Sequence, residues 1–434
     1  MLKRKVSLSP KLVKTFIIYM PFLYNMWPTL VANKILKKRL GSTNFVADNP
    51  SFDEPLLNYA DIDLTPETVL NHHKEKHKSK IFVSTWNVGG IAPEEDLNID
   101  DLLETNNNFC DIYVLGFQEI VPLKASNVLG SENTEISNKW NSIIRKALNK
   151  DQSESPHDDF QCIISKQMVG IFISVWTKGD IRPFIQHPSV SCIGCGIMGC
   201  LGNKGSVTVR FQLNETSFCF VCSHLASGGK EGDEKCRNSN VAEIFSRTTF
   251  PRGPLHDLPR NILDHDHVIL LGDLNYRISL PEETTRLLVE KKEWDSLLEN
   301  DQLMMELMNG NNLRGWHEGP IKFAPTYKYC PNSDIYYGCC CHGKKIEKRR
   351  APAWCDRIVW YGKGLKQLEY TRSESKLSDH RPVRAIFTAV ARVSSEVKSL
   401  KSLSLSERFE QIKTPFEVST TDKLVCRKQL SFRL

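Results

Sequence analysis

The sequence predicts an α+β fold, because apolar strand-like runs outnumber helical ones, neither kind alternates strictly with the other, and several strands run straight into polar residues. The chain has 434 residues, 40% of them hydrophobic and including 20 Phe and 8 Trp, so it can bury a sizeable core and is neither disordered nor collagen-like. Residues 1–40 hold nine basic residues (Lys3, Arg4, Lys5, Lys11, Lys14, Lys34, Lys37, Lys38 and Arg39) and no acid. Between these cations lies an apolar stretch, residues 15–32, that is interrupted by Pro21, Asn25 and Pro28. At 18 residues it is expected to pack on the domain or lie on a membrane surface rather than span a bilayer, and no small-residue cleavage site marks it as a secretory signal. Residues 41–78 read as a polar connector ending in the run NHHKEKHKSK.

From residue 80 the character changes. IFVSTWNV (81–88) is apolar and β-branched and stops at Gly89-Gly90, which is a strand followed by a loop. DIYVLGFQEI (111–120) and HVILLGDLNY (267–276) repeat that form. Further strands fit CIISKQMVGIFISVWT (162–177), RIVWYG (357–362) and RPVRAIFTAV (381–390), and a hairpin fits GSVTVRFQL and SFCFVCSHL around Asn214-Glu215-Thr216. Helices fit 138–148, 236–248 and much of 281–310, where Pro281 suits a first turn and Gly310 a stop. From about Val393 the chain turns Ser/Lys/Leu-rich and reads as a tail. The expected organisation is a basic extension and connector over 1–78, one catalytic domain over 79–392 and a tail over 393–434.

The net charge of +6 belongs to the extension, since the remainder holds 48 basic against 51 acidic residues. A main body near −3 argues against broad nucleic-acid coating. The 14 cysteines form no regular framework and are expected to be reduced thiols of an intracellular protein.

Five strand-end segments gather chemistry: Asn87 in TWNVGG, Glu119 in GFQEI, His224 in SHLASGG, Asp273 and Asn275 in GDLNYR, and Asp379-His380 in SDHRPV. Singly, each is more often a satisfied structural group. Jointly they supply hard oxygen ligands for Mg²⁺, two imidazoles for a phosphate oxyanion and a carboxylate to orient water.

TWNVGG, GFQEI, GNKGSV, SHLASG, LLGDLNYRI, FAPTYKY, APAWCDRIVW and SDHRPV, in that order, resemble the inositol polyphosphate 5-phosphatases of the DNase I-like metal-dependent phosphoesterases. The resemblance runs from Lys80 to Val390, and MWPTLVANKILKKRL with LPEETTRLLVEKKEWDSLLENDQL adds a likeness to the plant type I branch. It implies a four-layer α/β/β/α sandwich and hydrolysis of a 5-phosphate on an inositol ring. It assigns Glu119 and Asn87 to the Mg²⁺ site with Asp379 close by, and Asp273 to the attacking water. It gives Asn275 the task of holding that water or a phosphate oxygen. It makes His224 and His380 donors to the non-bridging oxygens, with Asp356 behind His380. It further implies that Tyr327, Lys328, Lys348 and Arg350 contact a 4-phosphate, while Asn203 and Lys204 face the ring or its 1-phosphate. Trp86 and Trp354 are expected in the core.

Substrates expected on this basis are phosphoinositide lipids and soluble inositol polyphosphates, with no nucleic acid partner and a monomeric, cytoplasmic protein touching anionic membranes peripherally. The run KRKV at residues 3–6 offers a nuclear alternative. Two other readings share these residues: an abasic-site-type nuclease, opposed by TYKY and KRRAPAWCDR, and a silent phosphoinositide-binding scaffold, opposed by the completeness of the motifs. The groups CIGCGIMGC and Cys339–Cys341 lack a second pair at zinc-finger spacing and are not read as a metal site.

Overall fold

The computed structural model describes residues 44–48 and 75–393, except 105–109, 131, 151–158, 197–198, 200, 253–257, 311 and 339–349. The basic extension, the CCCH segment, Lys348 and the tail therefore lie outside the described residues. The chain divides into a unit of residues 1–62 and 76–392 and a second of 63–75 and 393–434, and the elements described here belong to the first apart from the outer residue of two strands.

Eleven strands form two sheets among the described residues. One has the order β10-β11-β1-β2-β4-β3 and contains β1 (Glu75–Asn87), β2 (Ile112–Gln118), β3 (Phe160–Met168), β4 (Ile171–Lys178), β10 (Leu365–Arg372) and β11 (Val383–Val393). The other has the order β5-β6-β7-β8-β9 and contains β5 (Ile185–Gly194), β6 (Gly205–Leu213), β7 (Thr216–His224), β8 (His267–Asp273) and β9 (Asp356–Tyr361). The β1–β2 and β7–β8 pairs are parallel, and both sheets also contain antiparallel pairs, so both are mixed. Alternation along β1 shows the layering. Ile81 and Val83 join Val114, Ile173, Val207, Phe220 and Leu271 between the sheets, whereas Phe82 and Trp86 face outward onto Trp140 and Ile144 of helix α3 (Glu135–Leu148). On the far side, Val221 and Leu270 pack on Val241 and Ile244 of α4 (Asp233–Arg247). Strands covered on both faces carry near-continuous apolar runs, which is why β2, β7 and β8 are buried throughout. At Gly116 the sheets approach so closely that an added Cβ would lie 2.7 Å from Leu271 Cδ1 and 2.9 Å from Cys222 Sγ.

Shorter helices α1 (Asp100–Leu103) and α2 (Ala125–Leu129) lie in connections of the first sheet. The expected helical stretch over 281–310 is three helices, α5 (Glu282–Glu290), α6 (Trp294–Leu298) and α7 (Gln302–Asn309). Strands β5 and β10 were not foreseen, because IQHPSVSCIG is broken by Pro188 and LKQLEYTR is a half-buried, polar strand at a sheet edge. The connector boundary at residue 78 also shifts. β1 begins at Glu75 within the His/Lys-rich run, and residues 44–48 pair with β3. Trp86 and Trp354 are buried as expected. Cys110, Cys162, Cys219, Cys222 and Cys355 are buried thiols, and burial pushes Cys110, Cys162 and Cys222 up to about 12.

Beneath β9, Arg357 is fully buried between Asp301 (Nη1–Oδ1 2.9 Å) and Glu318 (Nε–Oε1 2.7 Å, Nη2–Oε2 2.6 Å), and Asp301 also caps α7 through the Leu303 and Met304 amides. Removing the cation would strand two buried carboxylates. Arg357→Ala is therefore expected to destabilise the domain by about 3–5 kcal/mol in urea unfolding. A loss below about 1 kcal/mol, the size of an exposed pair, would show that the network does not hold β9.

Candidate active site

Strand direction alone gathers the predicted residues. Asn87 ends β1, Glu119 follows β2, His224 ends β7, and Asp273 ends β8. Because β9 runs antiparallel to β8, with Asp356 opposite Asp273, the start of β9 reaches the same end. Gly205 of β6 stands opposite His224 and brings Lys204 there too. The sheets meet across this end, where Asn87 Nδ2 donates to Asp273 Oδ2 at 2.9 Å and lies 3.4 Å from Glu119 Oε1. Glu119 and Asn275 sit in left-handed backbone (φ +54° and +58°), strain of roughly 1–3 kcal/mol each that turns the chain sharply at the strand ends.

His224 Nε2 lies 3.2 Å from Asp273 Oδ2 and 3.7 Å from Glu119 Oε1, and the Lys204 ammonium contacts the same nitrogen. Burial and the Lys204 charge lower the His224 pKa, favouring a neutral imidazole. Desolvation likewise brings Lys204 down to about 8, although Asp273 and Glu119 oppose it. Burial alone would raise Asp273, but the His224 hydrogen bond and the charges of His380 and Lys204 hold it below the usual carboxylate range. Asn275 donates its backbone N–H to Asp273 Oδ1 at 3.1 Å and its side-chain amide to Leu225 O at 3.2 Å. Its Oδ1 accepts from Arg277 Nη2 at 2.6 Å.

On the other side, His380 Nδ1 lies 2.8 Å from Asp356 Oδ2, and that oxygen also accepts from Thr326 Oγ1 at 2.7 Å. Burial by itself would lower His380, yet Asp356, Asp273 and Asp379 raise it to about 9. Tyr327 packs its ring 4.6 Å from the His380 ring, with the Arg277 guanidinium 4.5 Å from the Tyr327 ring centroid. Lys328 Nζ donates to Asp379 Oδ2 at 2.6 Å, and the charge of Arg350 reaches both Tyr327 and Lys328.

Lys204 faces His224, because its register is set by Gly205. Asn203 Oδ1 is buried without a hydrogen-bond partner. Tyr327 is buried but for 9% of its surface and packs on His380. Lys348 falls outside the described residues. Sequence reasoning missed Thr326 and Arg277, although both stand inside quoted motifs. A threonine hydroxyl or an arginine after a strand is too common to signal itself.

The residues fit a hard divalent cation. Glu119 is a partly exposed carboxylate with the His224 imidazole 3.7 Å away, and Asp273 converges on the same imidazole nitrogen. Such oxygen donors beside solvent suit Mg²⁺ or Ca²⁺ better than zinc. Asp273, Asp356 and His380 also bring three ligand atoms within 4.8 Å of one another, but the direct His380–Asp356 bond occupies two of them. Asn87 turns its Nδ2 to the carboxylates, while Oδ1 accepts the Gly89 N–H at 3.0 Å. To ligate through oxygen, that amide must rotate. Among the described residues no cysteine joins a metal-ligating cluster.

The model of the endonuclease/exonuclease/phosphatase family 2 matches residues 84–386. Type IV inositol polyphosphate 5-phosphatase 9 of Arabidopsis thaliana is 64% identical over 403 residues, covering 89% of this chain and 96% of the relative. Type I inositol polyphosphate 5-phosphatase 8 of the same plant is 46% identical over 413 residues, covering 83% and 85%. These relatives carry both type I and type IV names, so the likeness is to the plant group as a whole. Among solved structures, the inositol polyphosphate 5-phosphatase domain of SPsynaptojanin, in complex with inositol (1,4)-bisphosphate and calcium ion, superposes with a TM-score of 0.64 at 32% identity, covering 78% of this chain and 92% of that one. A Cimex nitrophorin ferrous NO complex, at 18% identity and a TM-score of 0.52 over 72% and 98% of the two chains, shares the fold alone.

The His380–Asp356 geometry sets a pH dependence. A pKa raised from 6.5 to about 9 means that this pair stabilises the fold fully below about 6.5 and loses that contribution as pH rises through 9. NMR titration should find the His380 imidazolium deprotonating near 9, and Asp356→Asn should move that transition down. An unmoved transition would remove Asp356 as its cause.

Proposed function

The chain belongs to the inositol polyphosphate 5-phosphatases of the endonuclease/exonuclease/phosphatase family and is a phosphoric monoester hydrolase, and on that premise we propose that it removes the 5-phosphate from inositol head groups with Mg²⁺ and a directly attacking water. The substrates would include PtdIns(4,5)P₂, PtdIns(3,4,5)P₃, Ins(1,4,5)P₃ and Ins(1,3,4,5)P₄, and their loss would attenuate phosphoinositide signalling. The observation that carries this reading is the meeting of Asn87, Glu119, His224, Asp273 and the His380–Asp356 pair at one end of both sheets, beside Lys328 and Arg350.

Glu119 and Asn87, with Asp379 near, would hold the cation. When bound it supplies Lewis-acid polarisation of a phosphoryl oxygen and neutralises developing charge. Asp273, held ionised, accepts a proton from the water and orients it, with Asn275 fixing its carboxylate through the backbone N–H. His380, kept protonated by Asp356, donates to a non-bridging oxygen where negative charge grows. His224 Nε2 faces Asp273 and helps hold that carboxylate, and the Lys204 charge beside it adds to the field at a second oxygen. Lys328 and Arg350, with Tyr327 as a platform and Lys348 from the adjoining segment, bind a 4-phosphate. Asn203 lines the ring side. The basic extension, with roughly 1 kcal/mol per Lys or Arg near an anionic surface, places a cytoplasmic, monomeric enzyme on membranes.

Phosphate release from Ins(1,4,5)P₃ is expected to stop on chelation with EDTA and to return with Mg²⁺. Asp273→Asn is expected to lower kcat by about 10²–10⁴-fold with little change in KM. Turnover that survives either treatment would overturn the mechanism. Deleting residues 1–40 should depress hydrolysis of PtdIns(4,5)P₂ in anionic vesicles while leaving Ins(1,4,5)P₃ hydrolysis unchanged, and equal loss on both substrates would contradict the membrane role.

A further inference from the structure

Arg286 of α5, with its side chain 15% exposed, grips two backbone carbonyls through one nitrogen. Its Nη2 donates to Tyr337 O at 2.7 Å and to Arg350 O at 3.0 Å. That nitrogen carries two N–H groups, so each carbonyl takes one. The Arg286 Nε donates to Glu282 Oε1 at 2.9 Å, one turn earlier on α5, which fixes the plane of the guanidinium. Thr285 and Val289 of the same helix are buried, so the element that presents the arginine is itself held.

The two carbonyls belong to the backbones that carry Lys328 and Arg350. The Tyr337 N–H donates to Lys328 O at 2.7 Å and Tyr329 bridges Tyr336, so residues 328–337 form a closed antiparallel turn. Lys328 Nζ rests 5.4 Å from the Tyr337 ring centroid within that turn. Shortly after Arg350, Ala353 exchanges both backbone hydrogen bonds with Tyr327, at 3.1 and 2.9 Å, which ties the Arg350 backbone on one side. Arg286 supplies the tie at Arg350 itself and joins it to the Lys328 turn. Lys328 and Arg350 are like charges within reach of each other. Mutual repulsion and rotamer freedom both spread such a pair, and a fixed backbone opposes that spreading.

We propose that Arg286 is a positioning residue for the 4-phosphate: it locks the Arg350 backbone to the Lys328 turn and so sets the spacing at which the two cations receive a phosphate dianion on the inositol ring. This rests on the assignment of Lys328 and Arg350 to that phosphate. A mere satisfier of carbonyls would serve in any pairing, whereas this one joins the two segments that bear the cations. Arginine suits the task because its planar fork spreads donors in fixed directions, while a lysine ammonium is a point charge on a flexible stem.

The test uses the full-length protein with Arg286→Met, Arg286→Lys and Arg350→Ala. Competitive inhibition of Ins(1,4,5)P₃ hydrolysis by Ins(1,4)P₂, which has a 4-phosphate and no 5-phosphate, reads the subsite apart from the hydrolytic step. Arg286→Met is expected to raise KM for Ins(1,4,5)P₃ and the inhibition constant of Ins(1,4)P₂ on the order of tenfold, the size of one charge-assisted hydrogen bond, with kcat unchanged. Arg286→Lys, which keeps the charge and is the milder change for the fold, should show most of the same loss. Added to Arg350→Ala, Arg286→Met should cost less than it does in the wild type. An inhibition constant that rises in Arg350→Ala but not in Arg286→Met overturns the role of Arg286 and spares the 4-phosphate assignment. A constant unmoved in both overturns the assignment as well. Full rescue by lysine, or a fall in kcat that matches the rise in KM, would overturn the positioning role in favour of simple charge or of general support for the fold.

Discussion

The hydrogen bond from Asn87 Nδ2 of one sheet to Asp273 Oδ2 of the other marks the constraint on which the site depends. Neither sheet holds the catalytic set by itself. Asn87 and Glu119 come from β1 and β2, whereas His224, Asp273 and Asp356 come from β7, β8 and β9. Only face-to-face packing brings them within hydrogen-bond distance, and at Gly116 the absence of a side chain leaves room for Leu271 and Cys222 of the other sheet. A side chain there would have to displace both.

Burial then gives those residues their chemistry. Asp273, His224, Asp356 and His380 are nearly inaccessible, so their protonation follows each other rather than solvent. The consequence is a division between two imidazoles that look alike in sequence. His380 has a carboxylate 2.8 Å away and stays protonated, while His224 has the Lys204 ammonium on its Nε2 and is driven neutral. Behind β9, the Arg357 network with Asp301 and Glu318 fixes the strand whose first residue is Asp356. That buried charge cluster thus sets where the His380 partner stands.

Much of this was legible in the residues. Runs such as IFVSTWNV and HVILLGDLNY announce strands because they are buried on both faces, and the polar residues at their ends are conspicuous against that background. β5 and β10 escaped notice because a proline and an edge position remove the same signal. Thr326 and Arg277 escaped for another reason, since their roles depend on partners, Asp356 and Asn275, that are distant in the sequence or hidden in a turn.

From the sequence by itself came the α+β class, the strand ends that carry chemistry and the asymmetry of charge between extension and body. These are local properties, written in hydrophobic period and composition. Tertiary structure alone decided which imidazole is charged, that Lys204 stands against His224, and that residues 44–48 pair with β3. Those outcomes rest on strand register and on hydrogen-bond contacts between residues far apart in the chain, where desolvation and Coulomb interaction compete, and no local pattern encodes that balance.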